Sequence, residues 1–338
     1  MVILHIASIR NNLSNGVCVA VSKHVLEQQK TENVALLNLS KEIIPGIQNL
    51  FISDDLESLP YPFCKPDIVI FHEIYRGKYI SIARFLSQKQ IPYVVIPHGS
   101  LTKKAQKQSF LKKNIANFFM FKKFVKNATA IQFLSSTEEK NTSNWNDNKL
   151  IGTNGIDMPK SYKNYFNTDK TDIVFIGRLD IHIKGLDLII KAVKQDKKFI
   201  IENNVKIHIY GPDKKGRFEK LKNLIIENGV QDCVFLYGSI VGSEKEKRLL
   251  NADLFIQTSR TEAMPMGILE ALSYGIPCIV THKTGLGDLI QEYSAGWSVN
   301  TDSTDISNSI RDAVYNRNLW KEKSVNERRL IEDNYLWT

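Results

Sequence analysis

Short runs of consecutive apolar residues, separated by longer helical stretches, recur along the whole chain. The segments 68–71 (Ile-Val-Ile-Phe) and 173–176 (Ile-Val-Phe-Ile) are apolar at every position, as expected of strands that are covered on both faces. Helical patterns lie between such runs, for example Gly185–Val193 and Phe218–Glu227. Alternation of strand and helix is typical of parallel sheets joined by right-handed crossovers. The chain is therefore predicted to be an α/β protein.

A length of 338 residues suits two domains of ordinary size. A polar stretch without apolar periodicity, Pro159–Thr171, separates two sets of predicted strands. The strands of the first set are Val2–Ala7, Val34–Leu39, Asp67–Phe71, Tyr93–Pro97, Ala130–Leu134 and Leu150–Thr153. Those of the second set are Asp172–Ile176, Lys206–Tyr210, Val234–Tyr237, Leu254–Thr258, Cys278–Thr281 and Trp297–Val299. We predict two Rossmann-like, doubly wound parallel-sheet domains, 1–165 and 166–338.

Cysteine use and the N-terminal residues bear on the compartment. The four cysteines lie far apart and form no C-x-x-C pair, which is typical of a reducing compartment and offers no metal site. The chain starts without a basic region and runs directly into a strand pattern, and it has no apolar run of about 18 residues. We expect a cytoplasmic protein that is able to sit on a membrane surface.

The segment 261–271 (Thr-Glu-Ala-Met-Pro-Met-Gly-Ile-Leu-Glu-Ala) follows a predicted strand and opens a helix. Ligands of open parallel sheets bind outside the carboxyl ends of the strands, and the N-terminus of a helix can hold a phosphate. Glu270 could then accept hydroxyl groups from a ribose, while Glu262 faces the group attached to the diphosphate. Alternatively, Glu262 is an ordinary acid at a helix start and Glu270 a solvated helix residue.

A second motif follows the apolar strand that ends at Ile176. It consists of Gly177-Arg178-Leu179 and, after a short loop, Lys184-Gly185. Arg178 offers a planar fork for phosphate oxygens, Lys184 a compact charge, and Gly177 room for a ligand beside the backbone. Alone these residues would most simply be solvated. At strand ends of the same domain as Glu262 and Glu270, they suit a diphosphate.

Together the two motifs resemble glycosyltransferase family 4, whose members are retaining enzymes with the GT-B fold. Pro97-His98-Gly99, the segment 154–157 (Asn-Gly-Ile-Asp) and Asn15-Gly16 occur in the order expected of the family, so the similarity covers nearly the whole chain. It implies two Rossmann-like domains that face a cleft, the first binding the acceptor and the second the nucleotide sugar. It also implies a role in building a surface polysaccharide such as O-antigen or capsule.

The resemblance implies roles for the matching positions. Arg178 and Lys184 would neutralise the donor diphosphate as it leaves, and Glu270 would hold the ribose. Glu262 would contact the donor sugar near the reacting carbon, and His98 would reach that sugar from the first domain. The remaining donor-binding positions would be Gly16, Gly177, Met264, Pro265, Met266 and Gly267. Contacts to the nucleotide base would come from Gly211, Gly238, Ser239 and Ile240.

The resemblance further implies retention without a metal and without a protein nucleophile, the departing phosphate helping to deprotonate the acceptor. We expect no cofactor and a UDP-sugar rather than a GDP-sugar, although the base loops do not distinguish uridine from guanosine by inspection. The loop Ser8–Gly16 has one glycine where many relatives have a pair. The chain ends at Thr338, where relatives usually continue into a helix that packs back on the first domain.

Residues 1–165 carry the whole net charge of +9, and most of it lies in Leu101–Asn127. That stretch has no acid and eight lysines: Lys103, Lys104, Lys107, Lys112, Lys113, Lys122, Lys123 and Lys126. The apolar residues Leu111, Ile115, Phe118 and Val125 share one helical face, but Lys122 falls on it too, so the amphipathic pattern is imperfect. Lysines near an anionic leaflet and aromatics in its interface favour membrane-surface binding, which would bring the protein to a polyprenyl-diphosphate-linked acceptor. Alternatively, the phenylalanines pack in the first domain and the lysines are solvated.

The other histidines and the alternative functions rest on weaker patterns in the sequence. His72-Glu73 either contacts an acceptor or is an ordinary loop pair, and His5, His24 and His208 are predicted to be structural. A catalytically silent nucleotide-sugar-binding or scaffolding subunit stays open, as does another GT-B enzyme such as an epimerase. A dinucleotide oxidoreductase is disfavoured because no G-x-G-x-x-G follows Val2–Ala7. No nucleic-acid-binding module accompanies the lysines.

Overall fold

The computed structural model describes residues 1–12, 15–107, 113, 115–166, 169–262 and 264–337. The chain divides into two compact units, Met1–Asn154 and Gly155–Thr338. Each unit is built on one sheet whose strand pairs run parallel.

The first unit has a sheet of seven strands with helices between them. In spatial order the strands are Leu50–Phe51, Asn33–Asn38, Val2–Ala7, Ile68–His72, Tyr93–Ile96, Ala130–Phe133 and Lys149–Ile151. The α-helices are Gly16–Gln28, Gly77–Gln88, Lys103–Lys107, Lys122–Lys126 and Ser136–Lys140, and Asn117–Phe121 forms a π-helix. Successive strands are added outward on both sides of Val2–Ala7, so the direction of winding reverses between Val2–Ala7 and Ile68–His72.

The second unit has a sheet of six strands with the same kind of reversal. In spatial order the strands are Val234–Tyr237, Val205–Tyr210, Thr171–Ile176, Leu254–Gln257, Cys278–Thr281 and Gly296–Val299. The α-helices are Leu186–Gln195, Lys197–Glu202, Arg217–Glu227, Gly242–Asn251, Met266–Ser273, Gly287–Glu292, Ser303–Tyr315 and Trp320–Asn334. Short 3-10 helices span His282–Thr284 and Arg317–Leu319. Here the winding reverses between Thr171–Ile176 and Leu254–Gln257.

The predicted fold class, two doubly wound parallel sheets, is confirmed. All twelve predicted strands are present, with ends within two residues of the prediction. The strand Leu50–Phe51 was missed, because a segment of two residues carries no periodicity.

The apolar strands are covered on both faces, as their composition predicted. Leu4 and Ile6 lie in one buried cluster of the first unit, whereas Ile3 and Ala7 of the same strand lie in another. Successive side chains of a strand point to opposite faces of the sheet, so each face has its own core. In a sheet of this kind, polar side chains find room mainly where the strands end.

The boundary between the units falls after Asn154, ahead of the predicted boundary at residue 165. The polar stretch that suggested the later position is anchored in the second unit. The Lys163 ammonium is buried 3.0 Å from Asp253 Oδ1, and the Phe166 ring packs against Trp320 with 5.9 Å between ring centroids. Periodicity misses such a segment because its anchors are single side chains.

The helix Trp320–Asn334 buries its apolar face within the second unit. Leu330 and Ile331 are fully buried in the same cluster as Ile268 and Leu272 of the helix Met266–Ser273. That a C-terminal helix packs back on the first domain stays a prediction. None of the helices in the described ranges combines the length and the apolar character needed to cross a bilayer.

Glu327 of the same helix lets us predict how stability changes with pH. Its side chain is fully buried, and neither carboxyl oxygen has a hydrogen-bond partner among the described residues within normal geometry. Burial raises the pKa of Glu327 well above its usual value, against smaller effects of the Cys278 backbone and the Lys323 charge. Glu327 is therefore protonated in the fold but ionised in the unfolded chain above its ordinary pKa, so its contribution to stability falls as pH rises.

We expect Glu327→Leu to raise the free energy of unfolding by about 1–3 kcal/mol at pH 8, because a buried polar group without partners is removed. The gain should be smaller at pH 5, and urea unfolding at the two pH values measures it. The control is Glu322→Leu, on the exposed side of the same helix, which should show no such difference. A gain for Glu327→Leu that does not change with pH would contradict the assignment of a protonated carboxyl.

Candidate functional site

The two motifs of the second unit lie at the point where its sheet reverses its winding. Thr171–Ile176 and Leu254–Gln257 are neighbouring strands, and their carboxyl ends lead into the loops that carry Arg178 and Glu262. At such a reversal the helices that follow the two strands lie on opposite faces of the sheet, which opens a crevice between the loops. The fold itself therefore brings the two motifs together.

The carboxylate of Glu262 is anchored through one of its oxygens. Glu262 Oε1 accepts hydrogen bonds from Lys184 Nζ at 2.5 Å, Ser259 Oγ at 2.6 Å and Gln257 Nε2 at 3.2 Å. The Lys184 and Glu262 side chains are only 11% and 10% exposed. Glu262 Oε2 accepts no hydrogen bond from the described residues, so it is the oxygen left to receive one from a ligand.

The pairing of Lys184 with Glu262 depends on a glycine. Gly185 has a φ of +68°, and a Cβ at this position would lie 2.0 Å from the Thr258 carbonyl oxygen. The Thr258 hydroxyl donates to the Gly185 carbonyl at 2.9 Å. This close approach of backbone to backbone places Lys184 beside the loop of Glu262. The sequence motifs indicated both residues but not that they bind each other.

Arg178 is the exposed cation of the site. It directly follows Gly177, whose N–H donates to the Tyr210 carbonyl at 3.0 Å. The Arg178 side chain is exposed and makes no ion pair or hydrogen bond with the described residues. Its charge therefore remains available to an anion, whereas the charge of Lys184 is shared with Glu262.

Glu270 lies in the helix Met266–Ser273, and Lys245 of the helix Gly242–Asn251 forms an ion pair with its Oε2. Sequence reasoning missed Lys245, because the charged run around it is typical of a solvated helix. Of the predicted donor-binding residues, Met264 and Pro265 precede this helix, and Met266 and Gly267 form its first residues. Ala263, within the same motif, lies outside the described residues.

The four residues predicted to contact a base divide into two kinds. The Gly211 N–H donates to the Gly238 carbonyl at 3.2 Å, which joins the two loops, and Ser239 is exposed. Ile240 is instead buried in an apolar cluster, so its side chain serves the core. Arg248, which sequence reasoning missed, lies nearby: its guanidinium is 5.3 Å from the centre of the Tyr210 ring.

In the first unit, His98 occupies a strained turn held by a buried carboxylate. His98 has a φ of +49° and Gly99 a φ of +79°. The Gly99 N–H donates to Glu138 Oε1 at 2.5 Å, and the Leu134 N–H donates to Glu138 Oε2 at 2.8 Å. Burial raises the pKa of Glu138, and the two backbone hydrogen bonds oppose the rise. The His98 backbone is therefore fixed from outside its own loop.

Three further histidines gather around His98, which the sequence did not indicate. His72, predicted as a loop residue, is the buried last residue of its strand. Its ring is hydrogen-bonded to the rings of His5 and His98, and His24 lies edge-on to it. Within the described ranges, no group of three or more His, Cys, Asp or Glu side chains has the arrangement of a metal site.

Gly16 begins the helix Gly16–Gln28. The N-cap of this helix is Asn15, whose side chain accepts a hydrogen bond from the Val17 N–H at 3.1 Å. A Cβ at Gly16 would meet no atom within 4 Å. Among the described residues, no packing contact therefore requires glycine here, and the ligand contact stays a prediction.

The basic stretch combines buried and exposed aromatics. Phe121 and Phe124 pack in the core of the first unit, whereas Phe118 and Phe119 are 80% and 73% exposed. Six lysines lie on two short helices: Lys103, Lys104, Lys107, Lys122, Lys123 and Lys126. Lys113 donates to the Ala105 carbonyl at 2.5 Å, and Lys112 lies outside the described residues.

The imperfect apolar face predicted for this stretch does not form. Val125 is buried, but Ile115 and Phe118, predicted on the same face, are exposed. The π-helix Asn117–Phe121 interposes a wider turn, which shifts the residues before it relative to those after it. An α-helical count across the stretch therefore fails. Leu111, the fourth residue of that face, lies outside the described residues.

Comparison with known proteins decides the family. The sequence profile of the family Glycosyl transferases group 1 matches residues 159–329, which include both motifs of the second unit. The chain belongs to this family. The chain is 28% identical over 153 residues to the putative colanic acid biosynthesis glycosyltransferase WcaL of Escherichia coli. That alignment covers 43% of this chain and 36% of WcaL, so it spans about a third of the relative's length.

Solved structures of similar fold cover both units of this group 1 glycosyl transferase. Sucrose-phosphate synthase from Thermosynechococcus elongatus has a TM-score of 0.75 at 14% identity, over 99% of this chain and 95% of that one. Anabaena HepE in complex with UDP-glucose has a TM-score of 0.73 at 15% identity, over 100% of this chain and 96% of that one. These likenesses show the fold, which is that of GT-B glycosyltransferases.

The glycines of the base loops provide a matched test of this geometry. A Cβ at Gly211 would lie 2.0 Å from the Gly177 carbonyl oxygen, whereas a Cβ at Gly238 would meet no atom within 4 Å. We expect Gly211→Ala to lower the free energy of unfolding by about 3 kcal/mol, because two backbones must separate. Gly238→Ala should change it by less than about 0.5 kcal/mol. Urea unfolding measures both, and equal losses would contradict the close packing of the two strand-end loops.

Proposed function

We propose that this protein transfers a sugar from a nucleotide diphosphate donor to a glycan acceptor. The observation that carries the proposal is the set of side chains at the reversal of the second sheet. There an anchored carboxylate, Glu262, lies beside the Lys184 ammonium, and the motif that contains Lys184 also presents the exposed Arg178. Membership of the group 1 glycosyl transferases supports the same reaction.

The charges fit the step in which the donor is cleaved. As the bond between the sugar carbon and the diphosphate oxygen breaks, negative charge grows on the diphosphate. Arg178 and Lys184 are the cations proposed to stabilise that charge, and Glu262 Oε2 is proposed to accept a hydrogen bond from a sugar hydroxyl. Because Lys184 already binds Glu262, it would link the position of the sugar to that of the phosphate.

We further propose retention of configuration without a metal or a protein nucleophile. The leaving phosphate oxygen would take the proton of the acceptor hydroxyl on the same face of the sugar. Fixed cations of the chain would supply the charge that a bound metal supplies elsewhere. Proton NMR of the product would show the anomer of the new bond, and activity that survives EDTA would support a reaction without metal.

The donor and acceptor are proposed from the relatives and the surface. Anabaena HepE, a neighbour in fold, was solved with UDP-glucose, which favours a UDP-sugar here. The relative WcaL is named for colanic acid biosynthesis, which favours a polysaccharide product. We propose a polyprenyl-diphosphate-linked glycan as acceptor, reached at the inner face of the membrane. The exposed Phe118 and Phe119 beside the lysines support contact with an anionic surface.

The donor prediction uses the purified chain with a panel of UDP- and GDP-sugars, measuring binding and donor hydrolysis. We expect saturable binding of a UDP-sugar, and Arg178→Ala should lower turnover by about 100-fold because a phosphate contact is lost. Arg329→Ala is the control, because Arg329 is an exposed arginine on the helix Trp320–Asn334. Lack of binding of every nucleotide sugar would overturn the transferase proposal. Conversion of the donor into an isomeric nucleotide sugar would favour the epimerase alternative.

The membrane prediction concerns the exposed aromatics. We expect the double variant Phe118→Ser/Phe119→Ser to bind phosphatidylglycerol vesicles about tenfold less tightly, since apolar area no longer enters the interface. Tyr165→Ser, which removes another strongly exposed aromatic ring, should bind as the unaltered chain does. Vesicle co-sedimentation at low and high salt measures both. Equal binding by all three proteins would contradict a docking role for Phe118 and Phe119.

A further inference from the structure

Four side chains of the first unit form one continuous line of hydrogen bonds. Gln28 Oε1 lies 2.7 Å from His5 Nε2, and His5 Nδ1 lies 2.8 Å from His72 Nε2. The line continues from His72 Nδ1 to His98 Nε2 at 3.0 Å. It starts on the helix Gly16–Gln28, passes through the two strands at which the sheet reverses, and ends in the strained turn after a third strand. It therefore connects the helix Gly16–Gln28 to His98, which is predicted to touch the donor sugar.

The position of the proton on each ring of this line determines its position on the next ring. A neutral imidazole has one N–H and one bare nitrogen, so a ring bonded through both nitrogens donates through one and accepts through the other. A carbonyl oxygen only accepts, so the Gln28 Oε1 contact requires the proton of His5 on Nε2. His5 Nδ1 must then accept from His72 Nε2–H, and His72 Nδ1 from His98 Nε2–H. The last ring is left with its bare nitrogen at Nδ1.

The proton positions given above hold only if the three rings are neutral, and under ordinary conditions they are. Burial lowers the pKa of His5 to about 4 and that of His98 to about 3. The pKa of His72 is held well below its usual value by burial and by the other histidines. A second proton on His5 or His72 would also place two donors face to face in the line, because both nitrogens of these rings are hydrogen-bonded within it.

The end of the line is both fixed and accessible. The left-handed turn at His98 and the hydrogen bond from the Gly99 N–H to Glu138 hold the backbone, and the hydrogen bond to His72 holds the ring. His98 nevertheless remains partly exposed, and its Nδ1 accepts no hydrogen bond from the described residues. A fixed bare nitrogen accepts a hydrogen bond from a hydroxyl group but cannot donate one.

We propose that Gln28, His5 and His72 are positioning residues that fix the proton of His98 on Nε2, so that Nδ1 acts as a permanent acceptor for a hydroxyl group of the sugar ligand. The consequence for transfer rests on the proposed function. The position of the proton does not, and it can be measured in the protein alone.

The test uses the full chain labelled with ¹⁵N-histidine, in which long-range ¹H–¹⁵N correlations show which ring nitrogen carries the proton. We expect one tautomer, protonated on Nε2, for His5, His72 and His98, each assigned by its substitution. Gln28→Leu removes the acceptor at the far end, and His98 should then show a mixture of tautomers. If His72→Phe folds, it should give the same mixture. A proton on Nδ1 of His98 in the unaltered chain would overturn the proposal.

The matched control is His24→Gln. The His24 ring lies edge-on to His72 with 6.0 Å between ring centroids but is bonded to Asn154 rather than into the line. The variant His24→Gln should therefore leave the His98 tautomer unchanged. Unchanged His98 signals in Gln28→Leu would overturn the proposal that Gln28 fixes the His98 proton through His5 and His72, whatever the variant does to stability.

The kinetic arm separates this proposal from the proposed function. In the donor assay, Gln28→Leu should lower kcat/KM three- to tenfold and His24→Gln should not. If the tautomers are as expected but no sugar is transferred by any form, the transferase proposal fails and the hydrogen-bond line stands. If sugar is transferred while Gln28→Leu leaves both the tautomer and kcat/KM unchanged, the positioning role fails and the transferase stands.

Discussion

A parallel sheet covered by helices on both faces admits a polar side chain along its strands only where a partner compensates it, as for His5, so most polar chemistry lies at the strand ends. The inner strands of both sheets are of that kind: Val2–Ala7 divides its side chains between two cores in the first unit, and Thr171–Ile176 does the same in the second. Uncompensated charge has no place along such strands. The residues with a chemical role therefore collect at the carboxyl ends, and the winding reversal decides which of those ends face a crevice. The position of the site follows from the packing of the sheet before any catalytic residue is considered.

Backbone contacts carry this constraint into the site. Gly185 rests against the Thr258 carbonyl, and Gly211 against the Gly177 carbonyl, at distances where no Cβ fits. These contacts make the loop of Arg178 a neighbour of two others, the loop of Glu262 and the loop of Gly211, without any linking side chain. The Lys184–Glu262 pair then adds a charged contact over the same junction. A buried ion pair of this kind does more to define a geometry than to stabilise a fold.

The fold and the location of the second-unit site were predictable, because apolar runs, helix starts and strand ends are local signals. What the sequence could not show is which charges meet. Lys245 belongs to an ordinary-looking charged helix, and its contact with Glu270 depends on how two helices pack. The four histidines are distant in sequence, and nothing in the sequence indicates that their rings meet. The boundary after Asn154 and the face of Phe118 were missed for a related reason, since a few anchored side chains and one π-turn override a regular pattern.

The π-helix Asn117–Phe121 makes an insertion or deletion act differently from a substitution on the exposed aromatic residues. A π-turn holds one residue more than the α-helical turn it replaces, so losing a residue within Asn117–Phe121 would restore an ordinary helix. The buried Phe121 and Phe124 could keep their places while the exposed rings before them swing to a new direction. A single insertion or deletion can therefore re-aim the aromatic surface, whereas substitutions can only alter its composition. Related chains could in this way present the same catalytic unit to differently oriented surfaces.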